Sequence, residues 1–357
     1  MGAKRNWTPE ALDKAEVLWR AVGREEAAKR IGVTPNALKS AFYDNLRKPP
    51  GLPAHRIPDP PAPFIERPPS PDLPIEELIQ HRIRGYELRA AHEEASRLIR
   101  VRISESKPIG ILHFGDPHLD NPGTDLRLVK AHAELVRDTP GLYAASVGDT
   151  TDNWIGRLAM QWAEQGITQH DSWRLAEWFI GLVGKKWLYL VGGNHDAWSG
   201  SGDPLKWISS QAGAMYQDSE VRIGLQFPGK LQVRINCRHD FAGSSQWNPA
   251  HGPMKALFLG VRDHLAIAGH KHESAYGVLK DPDTGITMHA VKVASYKIWD
   301  RYVRTKGFRD QNISPCALTV IDPRKPETHP DLLKVFWDPV EGAEYLGWLR
   351  GRKAKAA

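Results

Sequence analysis

The chain has 357 residues, of which 41% are hydrophobic and 25% are charged, so a wholly disordered protein is excluded. It contains no apolar run of about 18 residues that would suit a transmembrane helix, and its charged start lacks the apolar core of a secretory signal. The two cysteines, Cys237 and Cys316, are too few for a disulfide framework and suit a reducing compartment. We therefore expect a cytoplasmic protein, and the length predicts about two domains.

The positive charge lies mainly at the two ends of the chain. The formal net charge is +6, of which residues 1–48 carry a net +4 and residues 350–357 another +4, while the residues between them have a net −2. Basic ends around a slightly acidic body are typical of proteins that contact a polyanion. We therefore expect DNA as a partner, with a merely solubilising tail as the alternative.

Residues 1–48 predict a small all-α unit. Thr8-Pro9 is an N-cap followed by proline at the first helical position, and apolar residues then repeat at helical spacing. A short second helix over 24–31 ends at Gly32, and Thr34-Pro35 opens a third helix that runs to about residue 45. Two short helices joined by a glycine-containing turn predict a helix-turn-helix domain that binds DNA.

The exposed face of the third helix is the predicted DNA-reading surface, and the basic residues behind it are expected to contact phosphates. The alternative is a three-helix module that docks onto another protein. The predicted DNA-binding residues are Asn36, Lys39, Ser40, Tyr43, Arg47 and Lys48.

Two connecting segments follow. Residues 49–74 hold 11 of the 27 prolines, which predicts an extended, semi-rigid linker. Residues 75–105 are assigned to a connecting helix, because Glu and Arg recur at helical spacing up to about residue 100. We expect this helix to pack as a strut on the main domain, with a dimer contact as the alternative, and the oligomeric state stays open.

Residues 106–322 predict an α/β domain of two packed mixed sheets flanked by helices. Short apolar runs followed by glycine, at 111–114, 143–147 and 187–191, are typical of buried strands, and amphipathic stretches separate them. Further strand patterns occur at 221–227, 231–237, 265–268, 275–279, 286–293 and 317–321. Residues 323–357 are predicted to form a basic tail.

Polar side chains of one chemical type follow five of these strands. In chain order the segments are Asp116-Pro117-His118, Gly148-Asp149-Thr150-Thr151-Asp152, Gly193-Asn194-His195-Asp196, His239 and Gly269-His270-Lys271-His272. Loops at the carboxyl ends of strands converge on one crevice, so we expect these side chains to meet. Carboxylate, amide and imidazole ligands without thiolates suit Mn, Fe, Zn or Co, and seven such groups predict two ions about 3.5–4 Å apart.

In these blocks the sequence resembles the calcineurin-like metallophosphoesterases, whose pattern D-x-H, GD-x-x-D, GNH-D/E, a lone His and G-H-x-H stands here in order. The resemblance covers residues 106–322. It implies that Asp116, His118 and His272 hold one metal ion, that Asn194, His239 and His270 hold the other, and that Asp149 bridges them. His251 is the alternative to His239, since a single histidine has no spacing signature.

The resemblance also implies two divalent cations, Mn first with Fe, Zn, Ni or Co as alternatives, and a bridging hydroxide that attacks phosphorus. His195 would be the general acid that protonates the leaving oxygen, and the Asp152 carboxylate would orient it. Trp154 and Trp198, close to these motifs, are candidates for base stacking or for core packing.

The expected function is therefore a two-metal phosphodiesterase that acts on DNA, similar to phage or prophage phosphoesterases and, in its catalytic part, to double-strand-break repair exonucleases. Exonuclease action is in doubt, because no coiled-coil partner segment or long capping domain is visible. Two alternatives stay open. One is a phosphomonoesterase on a protein or small metabolite, and the other is a DNA-binding regulator with a structural metal site.

Overall fold

The computed structural model describes residues 6–45, 47, 49–51, 71–196, 203–299 and 312–352. Lys48, most of the predicted linker, Trp198 and the last five residues lie outside the described residues. The chain divides into two compact units, Met1–Pro74 and Ile75–Ala357. Among the described helices, none combines the length and the apolar character needed to cross a bilayer.

The first unit contains three helices, α1 (Pro9–Val22), α2 (Arg24–Ile31) and α3 (Pro35–Asp44). The hydroxyls of Thr8 and Thr34 cap α1 and α3 as their sequence context predicts, and Gly32 adopts the left-handed conformation (φ 81°) that ends α2. The helices bury a common core in which the Trp19 and Phe42 rings meet edge to face at 5.5 Å.

The second unit begins with α4 (Ile75–Ser96), in which no residue is buried. The predicted strut packing is therefore wrong for the described residues. The helix is also shorter than predicted, because Ile99–Arg102 forms a strand, β1, that pairs in parallel with residues 223–226. Hydrogen bonds to that distant strand draw the residues out of the helical pattern, which sequence periodicity does not show.

The rest of this unit confirms the predicted α/β class, two mixed sheets flanked by helices. The further strands are β2 (Ile109–Phe114), β3 (Leu142–Ser146), β4 (Trp187–Val191), β5 (Tyr216–Gln217), β6 (Glu220–Gln226), β7 (Gln232–Arg238), β8 (Leu265–Ala268), β9 (Ala275–Lys280), β10 (Thr287–Lys292), β11 (Cys316–Ile321) and β12 (Leu333–Phe336). The first sheet has the order β12-β11-β2-β3-β4-β5 and the second β1-β6-β7-β8-β10-β9.

The helices cover the outer faces of the two sheets. The further helices of this unit are α5 (Leu126–Asp138), α6 (Trp162–Gln165), α7 (Gln169–Val183), α8 (Pro204–Gln211), α9 (His251–Leu259) and α10 (Pro339–Gly351), with short 3-10 turns at Gly156–Gln161 and Gly184–Lys186. The apolar side chains of α5, α7, α8 and α10 pack on the first sheet, and those of α9 pack on the second. A third cluster, which includes Ile111, Tyr189, Ile223 and Ile267, fills the space between the sheets.

The predicted basic tail, residues 323–357, is wrong over its described part. Strand β12 extends the first sheet beside β11, and α10 buries Leu346 and Leu349 against it. Arg350, which we assigned to a polyanion-binding tail, is bound to Glu105 (3.0 Å) and to the carbonyl of Pro108 (2.7 Å). The apolar face of α10 folds back on the sheet, because leaving it exposed would forfeit the free energy of burial.

Strand direction explains why the polar loops meet. Strands β2, β3 and β4 are mutually parallel in the first sheet, and β7 and β8 are parallel in the second. The five loops with candidate ligands follow the carboxyl ends of these strands, so they emerge at one edge of the packed sheets.

Candidate metal centre

Backbone strain is concentrated in the loops that carry the predicted ligands. Of the six described non-glycine residues with positive φ, four are His118 (42°), Asp149 (50°), His270 (69°) and His272 (53°), and a fifth is Asn153 (38°). Each such residue costs of order 1–3 kcal/mol and persists only where the surrounding structure enforces it. The conformations that orient these side chains therefore lower the stability of the fold.

The first ligand group consists of Asp116, His118 and His272, whose donor atoms lie within 4.8 Å of one another. Nε2 of His118 lies 3.2 Å from Nε2 of His272, and Oδ2 of Asp116 lies 3.3 Å from the same His272 atom. Asp116 and His118 are buried. Two imidazole nitrogens and a carboxylate oxygen thus converge on one small space.

The second group consists of Asp149, His239 and His270, again within 4.8 Å. Nε2 of His239 lies 3.2 Å from Oδ2 of Asp149, 3.1 Å from Nδ1 of His270 and 2.9 Å from Oδ1 of Asn194. The structure therefore places His239 in the group together with Asn194. The alternative, His251, begins α9 and does not belong to either group.

Asp149 lies between the two groups. Its Oδ2 atom is 3.2 Å from His239 Nε2 and 3.9 Å from His118 Nε2, while its Oδ1 atom accepts a hydrogen bond from the backbone N–H of His195 (2.9 Å). One carboxylate oxygen is thus shared by both groups, in the position that a bridging ligand requires.

The donor set fits two divalent cations. Oδ1 of Asp116 is buried and makes no hydrogen bond within the described part of the chain, and a buried carboxylate oxygen without a partner is costly. Carboxylate, amide and imidazole donors suit Mn, Fe, Zn or Co. The seven residues would hold two ions with Asp149 between them, as the motif pattern predicts.

In the second group, the negative charge of the Asp149 carboxylate and the positive charge of a protonated His239 stabilise each other. Burial alone would lower the pKa of its imidazole, but the Asp149 and Asp116 carboxylates raise that pKa to about 10. Conversely, burial would raise the pKa of Asp149, but His239 and His118 hold it well below its usual range. A metal ion that binds His239 must therefore displace a proton from its imidazole.

His195 is held in a fixed orientation beside the first group. Its Nδ1 atom lies 2.6 Å from the backbone carbonyl oxygen of Asp152, so Nδ1 carries the hydrogen and donates it. The ring meets the His118 and Trp154 rings edge to face, at centroid distances of 5.2 and 5.1 Å. Trp154 is thus a neighbour of the candidate acid.

The Asp152 carboxylate contacts a different histidine from the one that the sequence predicted. It lies 2.8 Å from Nδ1 of His118, whereas His195 contacts the backbone carbonyl of the same residue, and it accepts hydrogen bonds from Asn121 (2.6 Å) and Gln165 (3.1 Å). Burial would raise its pKa, but His118 keeps that pKa below its usual range, so the carboxylate stays charged. A carboxylate behind an imidazole orients a metal-binding histidine.

Sequence reasoning did not assign a role to two buried carboxylates. Asp196 accepts hydrogen bonds from the backbone N–H groups of Thr150 (3.1 Å) and Gly193 (2.8 Å), and it thereby joins the loops after β3 and β4. Asp120 accepts from the backbone N–H of Asp152 (2.6 Å). Burial, and then a neighbouring carboxylate, raises the pKa of Asp196 to about 7 and that of Asp120 to about 6. Asp196 stands in the GNH-D block, whereas no motif marks Asp120.

The predicted DNA-binding residues lie in the first unit, apart from this constellation in the chain. Asn36, Lys39, Ser40 and Tyr43 are all exposed on α3, and the Lys39 ammonium lies 5.9 Å from the Tyr43 ring centroid. Arg47 forms an ion pair with Asp13 of α1.

No family model and no curated protein matches the chain. Solved structures that match include NAD nucleotidase (NadN) from Haemophilus influenzae, with 8% identity and a TM-score of 0.34, and Vps29 from Chaetomium thermophilum, with 14% identity and a TM-score of 0.30. Each match covers 64% of this chain, and they cover 49% of NAD nucleotidase and 92% of Vps29. The chain therefore spans about half the length of NAD nucleotidase.

Proposed function

We propose that this chain is a calcineurin-like metallophosphoesterase that uses two divalent cations to hydrolyse phosphodiester bonds in DNA. The observation that carries the proposal is the position of Asp149, whose Oδ2 atom lies within 3.2 Å of His239 and 3.9 Å of His118. Two ligand groups that share one carboxylate are the arrangement of two-metal phosphoryl-transfer sites.

The protein groups have distinct tasks in this reaction. When bound, the cations supply Lewis-acid activation of water and of the phosphoryl oxygens. His195, with its Nδ1 hydrogen committed to the Asp152 carbonyl, presents Nε2 as the atom that gives a proton to the leaving oxygen. The Asp152 carboxylate holds the ring of His118 in place through Nδ1.

DNA is proposed as the substrate because of the first unit. Residues 1–48 have a net charge of +4, and α3 exposes Asn36, Lys39, Ser40 and Tyr43 on one short helix that follows a glycine turn. Amide, hydroxyl and ammonium groups on an exposed helix are the groups that contact base edges and phosphates. Arg350 is left out of this surface, because Glu105 binds it.

A substrate panel tests the proposal. The purified chain with Mn²⁺ is offered bis-p-nitrophenyl phosphate, p-nitrophenyl phosphate, and linear double-stranded and single-stranded DNA, with the Asp149→Asn variant as the matched control. We expect hydrolysis of the diester and of DNA, abolished in the variant. Hydrolysis of the monoester alone would identify a phosphomonoesterase, and DNA binding without any hydrolysis would identify a DNA-binding regulator.

A further inference from the structure

A cavity of about 640 Å³ opens beside Asn194 and His239, on the side of the second ligand group. We call it the β5 cleft, because β5 and the residues that follow it form one wall. Its lining includes Asp203, Tyr216, Asp218, Ser219, Glu220 and Arg238. Since Asn194 and His239 also line it, a group attached to a phosphate at the metal centre reaches the cleft directly.

Two of the residues that line the cleft, Gly192 and Gly193, have no side chains. A Cβ atom on Gly192 would lie 2.4 Å from the hydroxyl oxygen of Tyr216, and one on Gly193 would lie 2.0 Å from Oδ1 of Asp149. Neither position tolerates a side chain, since real contacts of this kind are never so short. The two glycines of the Gly-Gly-Asn-His segment therefore let this backbone pack directly against Tyr216 and Asp149 where the cleft meets the second ligand group.

The walls of the cleft carry more negative than positive charge. Asp203, Asp218, Glu220 and Asp240 line it, against Lys206 and Arg238. The Arg238 guanidinium is bound to Glu220 and lies over the Phe241 ring at 5.6 Å, so its charge is already matched. A second phosphate in this space would be repelled, whereas N–H and O–H groups would find carboxylate acceptors.

We propose that the β5 cleft binds the non-phosphate substituent of the ester, a group that presents N–H and O–H donors and carries no second phosphate. This inference rests on the proposed function and names the part of the substrate that flanks the scissile bond. In DNA this group is the 3′-terminal nucleoside, which is attached through its 5′ oxygen and carries no further phosphate, so that its sugar and base fill the cleft. An amino alcohol has the same chemistry, and the experiment separates the two sources.

The kinetic test uses p-nitrophenyl phosphodiesters that differ only in the second alcohol: methanol, ethanolamine, thymidine through its 5′ oxygen, and thymidine that also bears a 3′-phosphate. With Mn²⁺, we expect the thymidine ester to exceed the methyl ester in kcat/KM by about fivefold or more, the effect of one or two net hydrogen bonds. The 3′-phosphate should remove this gain. If the ethanolamine ester has a higher kcat/KM than the thymidine ester, the group that the cleft binds is an amino alcohol.

Two variants with matched controls locate the effect. Ser219→Trp fills the cleft from an exposed position in its lining, and Ser210→Trp places the same side chain at an exposed position of α8 outside the cleft. We expect Ser219→Trp to abolish the preference for thymidine over methyl, measured as the ratio of the two kcat/KM values, and Ser210→Trp to leave that ratio as in the wild type. Asp218→Asn, with exposed Asp283→Asn as its control, should reduce the penalty of the 3′-phosphate by about threefold.

A binding measurement tests whether the cleft binds a nucleoside, without any catalytic turnover. Saturation-transfer NMR on the metal-free chain should show thymidine signals in the wild type and in Ser210→Trp, and none in Ser219→Trp. Equal signals in Ser219→Trp, or a thymidine ester no better than the methyl ester, would overturn the inference. If no diester is hydrolysed at all, the proposed function fails, and the NMR result still decides whether the cleft binds a donor-bearing group.

Discussion

The Nδ1 atom of His195 donates a 2.6 Å hydrogen bond to the main-chain carbonyl of Asp152, while the carboxylate of Asp152 lies 2.8 Å from Nδ1 of His118. One residue thus serves the candidate acid with its backbone and a candidate metal ligand with its side chain. The two tasks are separable by mutation, because a side-chain substitution leaves the carbonyl in place.

His195→Ala should abolish turnover of esters with poor leaving groups and reduce turnover of p-nitrophenyl esters much less. A positioned acid contributes about 10²–10⁴-fold where the leaving oxygen needs a proton, and p-nitrophenolate leaves without one. Rates on DNA and on bis-p-nitrophenyl phosphate measure the difference, and metal content by mass spectrometry serves as the control. Loss of bound metal in this variant would show that His195 is itself a ligand.

Asp152→Asn should weaken metal binding by about 10–100-fold, because it removes the charged group behind His118. Since the carbonyl that holds His195 remains, the ratio of rates on good and poor leaving groups should stay close to that of the wild type at saturating Mn²⁺. Metal titration and the two-substrate ratio are the measurements. A changed ratio with unchanged metal affinity would return the Asp152 carboxylate to the role predicted from sequence.

Removal of the cations should lower the thermal stability of the second unit. A ligand at about 100 times its dissociation constant stabilises the folded state by about 2.7 kcal/mol, and chelation removes that contribution. The midpoint of thermal unfolding, followed with and without EDTA, measures it. Asp149→Asn should be insensitive to EDTA, and a wild-type midpoint unaffected by EDTA would contradict the metal centre.

Metal binding should release about one proton per chain near pH 7.5, because in the metal-free protein Asp149 and Asp116 raise the pKa of His239 to about 10. The apparent metal affinity should therefore rise with pH up to that value. In the absence of metal, the stability of the fold depends on pH in the opposite direction. The ion pair between protonated His239 and Asp149 stabilises the folded state fully below about pH 6.5, and this contribution is lost as the pH rises toward 10. Calorimetric titration in buffers of different ionisation enthalpy counts the protons, and binding without proton release would contradict the assignment.

Lys39→Ala should weaken DNA binding about equally for all sequences and reduce the slope of log affinity against log salt by about 1, as loss of one phosphate contact requires. Hydrolysis of bis-p-nitrophenyl phosphate should not change. Lys14→Ala, exposed on α1, is the matched control for charge. Equal effects of the two substitutions would mean that the net charge of the unit, and not the α3 face, attracts DNA.

The sequence by itself determined the fold class, the helices of the first unit and the set of residues from which a metal centre could be built. These signals are local, since a strand followed by glycine and then Asp, Asn or His is read within a few residues. Their position after the strands also predicts that they meet, because side chains that follow parallel strands emerge at one edge of the sheet. Thr8 and Thr34 show the same locality, as each cap bonds to an N–H three residues on.

Only the tertiary structure decided which atoms meet. It placed the Asp152 carboxylate behind His118, set Arg350 against Glu105 across 245 residues of sequence, and drew Ile99–Arg102 into a sheet. It also built the β5 cleft from residues after β4, around β5 and at the end of β7. Contacts between distant segments depend on how the sheets and helices bury their apolar faces together, and no short-range pattern of side chains carries that information.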